Sequence, residues 1–250
     1  MSKLIYLDPG HGGKDSGAVG YGRKEADDVL KMAKKVKSLL SAYSCKIGMT
    51  RTNDTYTSPS GKAAIANKAG ADFFASFHRN SSDSSSSKGY ESLVYANSGT
   101  KKEFANKINA KMKAIGFTNR GTKVRTGLAV LRQTKMPAVL LELGFISNKK
   151  DNEIFVGKFD KIAEAITSVI VDVNDLKKVT TTSNASIKAG STVKIKSGAK
   201  YGGASSGKSV SSAYIGKKYT VTKVQTNKGV KEALIKQLNS WVPTKYLSIV

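Results

Sequence analysis

His11 and His78 are the only histidines among the 250 residues. Each follows an apolar run. Leu4-Ile5-Tyr6-Leu7 leads into Asp8-Pro9-Gly10-His11-Gly12-Gly13, and Phe73-Phe74-Ala75-Ser76-Phe77 leads into His78-Arg79-Asn80. A third run, Ala138-Val139-Leu140-Leu141, ends in Glu142-Leu143-Gly144. Glycine lets a backbone turn sharply, and Pro9 cannot continue a central ladder. Two imidazoles and a carboxylate at the ends of three strands make up a metal-hydrolase site. The alternative is a pair of surface-loop histidines beside an incidental acid. Glu25 and Asp28 lie close to His11 in sequence, in the first turn of a helical pattern. Acids there ordinarily offset the helix dipole, so a ligand role for either competes with that ordinary one.

The elements that would position these groups are legible from periodicity. Val29, Met32, Ala33, Val36 and Leu40 recur at helical spacing, with lysines 31, 34, 35 and 37 on much of the other face. Strands are expected at Cys45–Met49, 72–77, 89–95, 129–131 and 138–141, and helices at 63–69, 103–115 and 160–173. Gly116 is a candidate C-cap. Residues 119–127 are basic and loop-like. The serine-rich stretch 81–87 follows His78 and is expected to be an exposed loop bordering a cleft. Strands alternating with helices predict a largely parallel sheet between two helical layers, with the strand carboxyl ends on one edge. His11, His78 and Glu142 would converge there. Glu91 is a further acid, expected to position other groups.

The composition changes near residue 177. Residues 177–250 carry 14 lysines and one acid, Glu232; residues 1–176 carry 28 basic residues and 17 acids. The net charge of +24 points to a polyanionic partner. Lysine without arginine in the smaller piece favours diffuse attraction over base-specific readout of DNA. Residues 177–186 are expected to be a linker. Short alternating runs at 192–196, 219–224, 232–235 and 241–242, separated by Gly/Ser turns, predict a small β-barrel over 187–250. Tyr201, Tyr214, Tyr219, Trp241 and Tyr246 would line a binding face or build its core. The single cysteine, Cys45, excludes an internal disulfide and a thiolate-rich zinc site.

Other motifs fail on context. Gly203-Ala204-Ser205-Ser206-Gly207 has the nucleophile-elbow spacing, but no helix follows and no histidine is near. Asp15 stands where a dinucleotide loop needs its third glycine. Pairing Glu25 with Glu142 as glycosidase acids leaves both histidines unexplained.

Six segments in order carry a family resemblance: Asp8-Pro9-Gly10-His11-Gly12-Gly13; Lys24-Glu25; Thr50-Arg51; Ser76-Phe77-His78-Arg79-Asn80; Arg120-Gly121; and Pro137-Ala138-Val139-Leu140-Leu141-Glu142-Leu143-Gly144-Phe145-Ile146-Ser147-Asn148. On these the first 176 residues resemble the zinc-dependent N-acetylmuramoyl-L-alanine amidases of bacteria and phages. The resemblance implies a three-layer α/β/α domain with one Zn2+ held by His11, Glu25 and His78. Glu142 would be the catalytic acid/base, and Asn80, Arg51, Arg120 and Arg125 would be substrate contacts. It selects Glu25 over Asp28. Arg79 replaces the family's usual small residue between His and Asn and is expected to alter the cleft wall. Residues 187–250 are similar to SH3-type wall-binding modules on Lys194-Ile195-Lys196, Tyr201-Gly202-Gly203 and Ser240-Trp241-Val242.

The implied activity is cleavage of the bond between N-acetylmuramic acid and L-alanine of peptidoglycan. The chain shows no signal-peptide pattern, which fits a cytoplasmic product that reaches the wall after release, as a phage endolysin does with a holin's help. A mother-cell amidase of sporulation and a non-catalytic wall- or polyanion-binding protein are the competing readings. The expected partners are peptidoglycan and anionic wall polymers, with no nucleic acid, no membrane insertion and a monomeric chain.

Overall fold

A computed structural model of the chain describes residues 2–179 and 187–250, which fall into two compact units, Met1–Val179 and Thr180–Val250. The first begins with β1 (Lys3–Pro9), a small hairpin of β2 (Val19–Gly20) and β3 (Arg23–Lys24), and α1 (Glu25–Leu40). Then come β4 (Cys45–Met49), α2 (Pro59–Lys68), β5 (Phe73–Asn80), β6 (Tyr90–Val94) and α3 (Gly99–Ile115). β7 (Asn119–Val124), α4 (Ala129–Arg132), β8 (Ala138–Phe145), α5 (Lys149–Gly157) and α6 (Phe159–Val173) complete it.

Six strands form one sheet in the order β4-β1-β5-β8-β6-β7. β4, β1, β5 and β8 are mutually parallel, while β6 runs antiparallel to β8 and parallel to β7. The two faces are covered unequally. Val29, Met32, Val36, Phe104, Ile108, Met112, Phe155, Ile162, Ile166 and Ile170, from α1, α3, α5 and α6, pack on Ile5, Leu7, Phe73, Phe77, Val139 and Leu141. The other face is covered by a smaller core in which Ala66 of α2 and Val130 and Leu131 of α4 meet Phe74, Leu93, Ala138 and Leu140. Both faces of β8 are therefore apolar, as its near-continuous hydrophobic run requires.

The helix α5 was not expected, β8 runs on past residue 141 to Phe145, and four further features depart from the sequence expectations. Residues 129–131 are helical, because a short apolar run fits a buried helical turn as well as a strand. Residues 119–124 are a strand; β7 lies at the sheet edge, where basic side chains are tolerated and discourage further pairing. The reversal of β6 means that not all strand carboxyl ends share an edge; Glu91, near the start of β6, reaches the edge instead. β5 also runs on to Asn80, so His78 belongs to the strand and not to the loop after it.

The second unit pairs β9 (Thr192–Ile195), β10 (Lys218–Asn227), β11 (Val230–Ile235), β12 (Ser240–Pro243) and β13 (Leu247–Ile249) in the antiparallel order β12-β11-β10-β9-β13. Val193, Ile195, Tyr219, Val221, Ala233, Ile235, Val242 and Leu247 form its core, with Tyr201 and Tyr246 packed against it. Tyr214 is exposed. The linker expected at 177–186 begins later than its first residues. Lys177 accepts a hydrogen bond from Ser44 N (2.8 Å) and Val179 donates to Ala42 O (2.7 Å), so 177–179 belong to the first unit. The rest, 180–186, lies outside the described residues. No described helix is long and apolar enough to cross a membrane.

Candidate active site

The loop after β1 is built on a buried polar network. Asp8 is fully buried and accepts hydrogen bonds from Thr50 Oγ1 (2.6 Å) and Ser76 Oγ (2.7 Å). Lys62, also buried, reaches from α2 to Asp8 (3.2 Å), Pro9 O (2.6 Å) and His11 O (3.3 Å). Burial lowers its pKa, and Asp8 opposes that shift. Arg51 donates to the carbonyls of Pro9 (3.1 Å), Gly10 (2.7 Å), Ala26 (2.8 Å) and Asn53 (3.0 Å). These bonds hold a conformation the chain would otherwise resist: His11 has φ +57°, in a region sparsely occupied by non-glycine residues. A Cβ on Gly10 would lie 2.3 Å from His78 Cε1. Only glycine lets the loop close over that ring.

Three side chains then meet. Glu25, the first residue of α1, places Oε1 3.0 Å from His11 Nε2 and 2.9 Å from His78 Nδ1. The same oxygen accepts from Arg79 N (3.0 Å), and Oε2 accepts from Ala18 N (3.0 Å). One donor atom from each of His11, Glu25 and His78 lies within 4.8 Å of the others, a group able to hold a metal ion. Two neutral-nitrogen donors and a carboxylate are a donor set that suits zinc with an open position. Burial alone would raise the pKa of Glu25, but the two imidazoles outweigh it and hold the carboxyl well below its usual range. Burial likewise works against His11's charge, yet Glu25 and Asp15 together raise its pKa. Asp15 Oδ2 sits 2.9 Å from His11 Nδ1 and orients the ring with Nε2 toward Glu25. The histidine side chains are one-fifth exposed, at 23% and 20%, so both rings are reached from solvent.

Glu142 lies beside this group. Its Cα pairs in register with His78 on one side and with Glu91 on the other. Cross-strand partners share a face, so all three point to the side covered by the two short helices. Glu142 Oε2 is buried with no hydrogen-bond partner among the described residues, and burial pushes the carboxyl pKa up to about 7. Glu91 is handled oppositely. Arg120 Nε (2.9 Å), Lys123 Nζ (2.8 Å) and Asn80 Nδ2 (3.0 Å) surround it, and they keep it ionised against the cost of burial.

The remaining candidates separate. Asp28 is taken by Arg23 and by Arg79 (2.7 Å) and faces away from the histidines. Arg79 does not shape the cleft wall. Strand alternation turns it into the larger helical layer, where it also meets Asn152 Oδ1 (2.8 Å) and stacks 4.1 Å from the Phe155 ring. Arg51, expected to touch substrate, is 4% exposed with its guanidinium committed to backbone carbonyls, so it scaffolds the loop. Arg120 is one-third exposed but engaged by Glu91. Arg125 is exposed, its only side-chain hydrogen bond among the described residues going to Val124 O. Sequence reasoning gave no role to Asp8, Asp15 or Lys62. For Asp15 the available signal was its place four residues after His11 in a glycine-rich loop.

The family model described as N-acetylmuramoyl-L-alanine amidase matches residues 5–172. An endolysin of Bacillus phage SPP1 is 42% identical over 188 residues, covering 71% of this chain and 68% of that protein. The N-acetylmuramoyl-L-alanine amidase LytC of Bacillus subtilis is 38% identical over 154 residues, covering 60% of this chain but 31% of LytC. Among solved structures, the catalytic domain of CwlV, an amidase from Bacillus (Paenibacillus) polymyxa var. colistinus, superposes with a TM-score of 0.65 at 37% identity. It covers 70% of this chain and 99% of that domain.

Proposed function

Because the chain belongs to the N-acetylmuramoyl-L-alanine amidase family of peptidoglycan hydrolases, we propose that its first unit is a zinc-dependent amidase in which His11, Glu25 and His78 hold the metal and Glu142 moves the proton. The observation that carries this division of roles is the contrast between two carboxylates. Glu25 is ringed by donors and held ionised, while Glu142, beside the same histidine, has a buried oxygen with no partner among the described residues. An ionised ring-facing carboxylate is a ligand; one poised near neutrality is an acid/base.

A bound zinc would supply Lewis acidity toward the scissile carbonyl and a water held in its open position. Glu142 takes a proton from the attacking water as oxygen adds to the lactyl carbonyl carbon. It then delivers that proton to the L-alanine nitrogen as the carbon–nitrogen bond breaks. The products are the lactyl carboxylic acid on muramic acid and a stem peptide with a free amino terminus. Asn80 and Arg120 hold Glu91 in place along the cleft, and exposed Arg125 is free to meet a stem-peptide carboxylate.

The second unit is read as an SH3-like wall-binding module, and the whole chain as a phage endolysin acting on the host wall as a monomer. The similarity to the SPP1 endolysin supports the endolysin reading, and the chain spans about two thirds of that relative and under one third of LytC. The test is product analysis on purified Gram-positive walls. New alanine amino groups without new reducing ends, lost on chelation and restored by zinc, are expected. Reducing ends without alanine would replace the amidase by a glycosidase.

A further inference from the structure

We infer that the outer face of β10, β9 and β13 is a binding site for a linear phosphodiester polymer of the wall. The second unit carries 12 lysines over 187–250 and one carboxylate, Glu232. Glu232 is 4% exposed and is engaged by Gly203 N (3.1 Å) and Gln225 Nε2 (3.3 Å). Among the described residues, no lysine of this unit forms a salt bridge, every such pair lying in the first unit.

The lysines are not merely scattered. Lys218 pairs directly with Lys194 across β10 and β9, and Lys194 pairs with Ser248 across β9 and β13. Thr220 pairs with Thr192 in the next outward row, and Val193, Ile195, Tyr219 and Val221 point the other way, into the core. Lys196, two residues beyond Lys194, extends the same face and is exposed, as is Lys217. Directly opposed side chains sit about 5 Å apart, and like charges in that position destabilise a sheet. Lys194 and Lys218 therefore carry a like-charge repulsion that no carboxylate among the described residues relieves. A ligand that places an anion between Lys194 and Lys218 removes it.

The chemistry of the row narrows the ligand. It offers ammonium groups and hydroxyls, donors suited to phosphate oxygens. It contains no arginine, and none of its outward residues is aromatic. Stacking on bases is thereby missing, as is the bidentate readout that nucleic-acid binders use. Repeated phosphates without bases fit best.

This inference rests on the wall as the place of action, and one experiment separates the two. The full-length Glu142→Gln chain, which leaves walls intact, is co-sedimented with walls before and after hydrofluoric acid has hydrolysed their phosphodiesters. Stripping is expected to weaken binding at least tenfold, with a steep dependence on salt. Lys194→Gln/Lys218→Gln is expected to lose as much on untreated walls and nothing further on stripped ones. Because the double variant relieves a repulsion, its melting temperature should stay level or rise. Binding indifferent to stripping or to the two lysines would overturn the site, as would a fall in melting temperature that accounts for the loss. Retained wall binding by a double variant that has lost a DNA gel shift would assign the row to nucleic acid. Alanine release by the unmodified chain on stripped walls is scored separately, so a failed amidase would show as no release whatever the binding.

Discussion

Glu142 stands directly opposite His78 in the register of β8 and β5, so the proposed ligand and the proposed proton carrier are fixed by the same ladder. Neither can shift without breaking hydrogen bonds in the middle of the sheet. Such placement on strands holds reacting groups more rigidly than a loop would.

Replacing Glu142 by glutamine keeps shape and removes the acid/base. Metal content should be unchanged while turnover falls about 10²–10⁴-fold, the usual contribution of such a group. Metal analysis beside amine-release kinetics checks this. Loss of metal in step with activity would make Glu142 a ligand instead.

The elevated pKa of Glu142 sets two pH dependences. The general base works ionised, so activity should fall on the acid side, with a limb at or below about 7, since a bound cation favours ionisation. For the metal-free fold the sign is opposite. A carboxyl whose folded pKa is raised above its unfolded value stabilises the fold while protonated. That contribution is complete below about 4.5 and is lost as pH rises through about 7. Glu142→Gln should therefore stabilise the metal-free fold at pH 8, by about 3 kcal/mol, and raise its melting temperature there but not at pH 4. An equal effect at both pH values would refute the buried-acid account.

Asp15 touches His11 only through Nδ1. Asp15→Asn should lower zinc affinity about 10–100-fold, the range seen when an outer carboxylate is removed, with little change in melting temperature. Competition against a chromogenic chelator measures it, and unchanged affinity would leave Asp15 without a role at the metal.

Lys62→Met removes a buried cation and leaves Asp8 unbalanced. A destabilisation of about 3–5 kcal/mol is expected. Zinc affinity measured well below the melting temperature should also drop, because Lys62 secures the Pro9 and His11 carbonyls. A core variant of matched stability serves as control. Equal zinc affinity in the two would reduce Lys62 to a stability role.

Much of the first unit was legible because its apolar runs are long and carry one period each. α1 needed nothing more, while β8, expected over 138–141, runs on to Phe145 and so takes Glu142 into the strand. What escaped had a physical reason. Periodicity carries no direction, so the reversal of β6, and with it the arrival of Glu91 beside Glu142, was invisible. Four residues at 129–132 fit a turn of helix as well as a strand. Spacing left Glu25 and Asp28 equal, and only the partners separate them, since Arg23 and Arg79 occupy Asp28. Arg79 was misplaced for want of a simpler rule. Neighbours in a strand face opposite ways, so a residue next to His78 could not share its cleft.

The unequal covering of the sheet has a consequence for what can be digested. α2 and α4 are 10 and 4 residues long, against 16 and 15 for α1 and α6 on the other side. His78, Glu142 and Glu91 face the thinly covered side. A site at the end of a tunnel demands a free chain end or a soluble fragment. Under the proposed function, a site that opens over so thin a helical layer would be pressed against a cross-linked solid and would cut mid-mesh without waiting for an end to come loose.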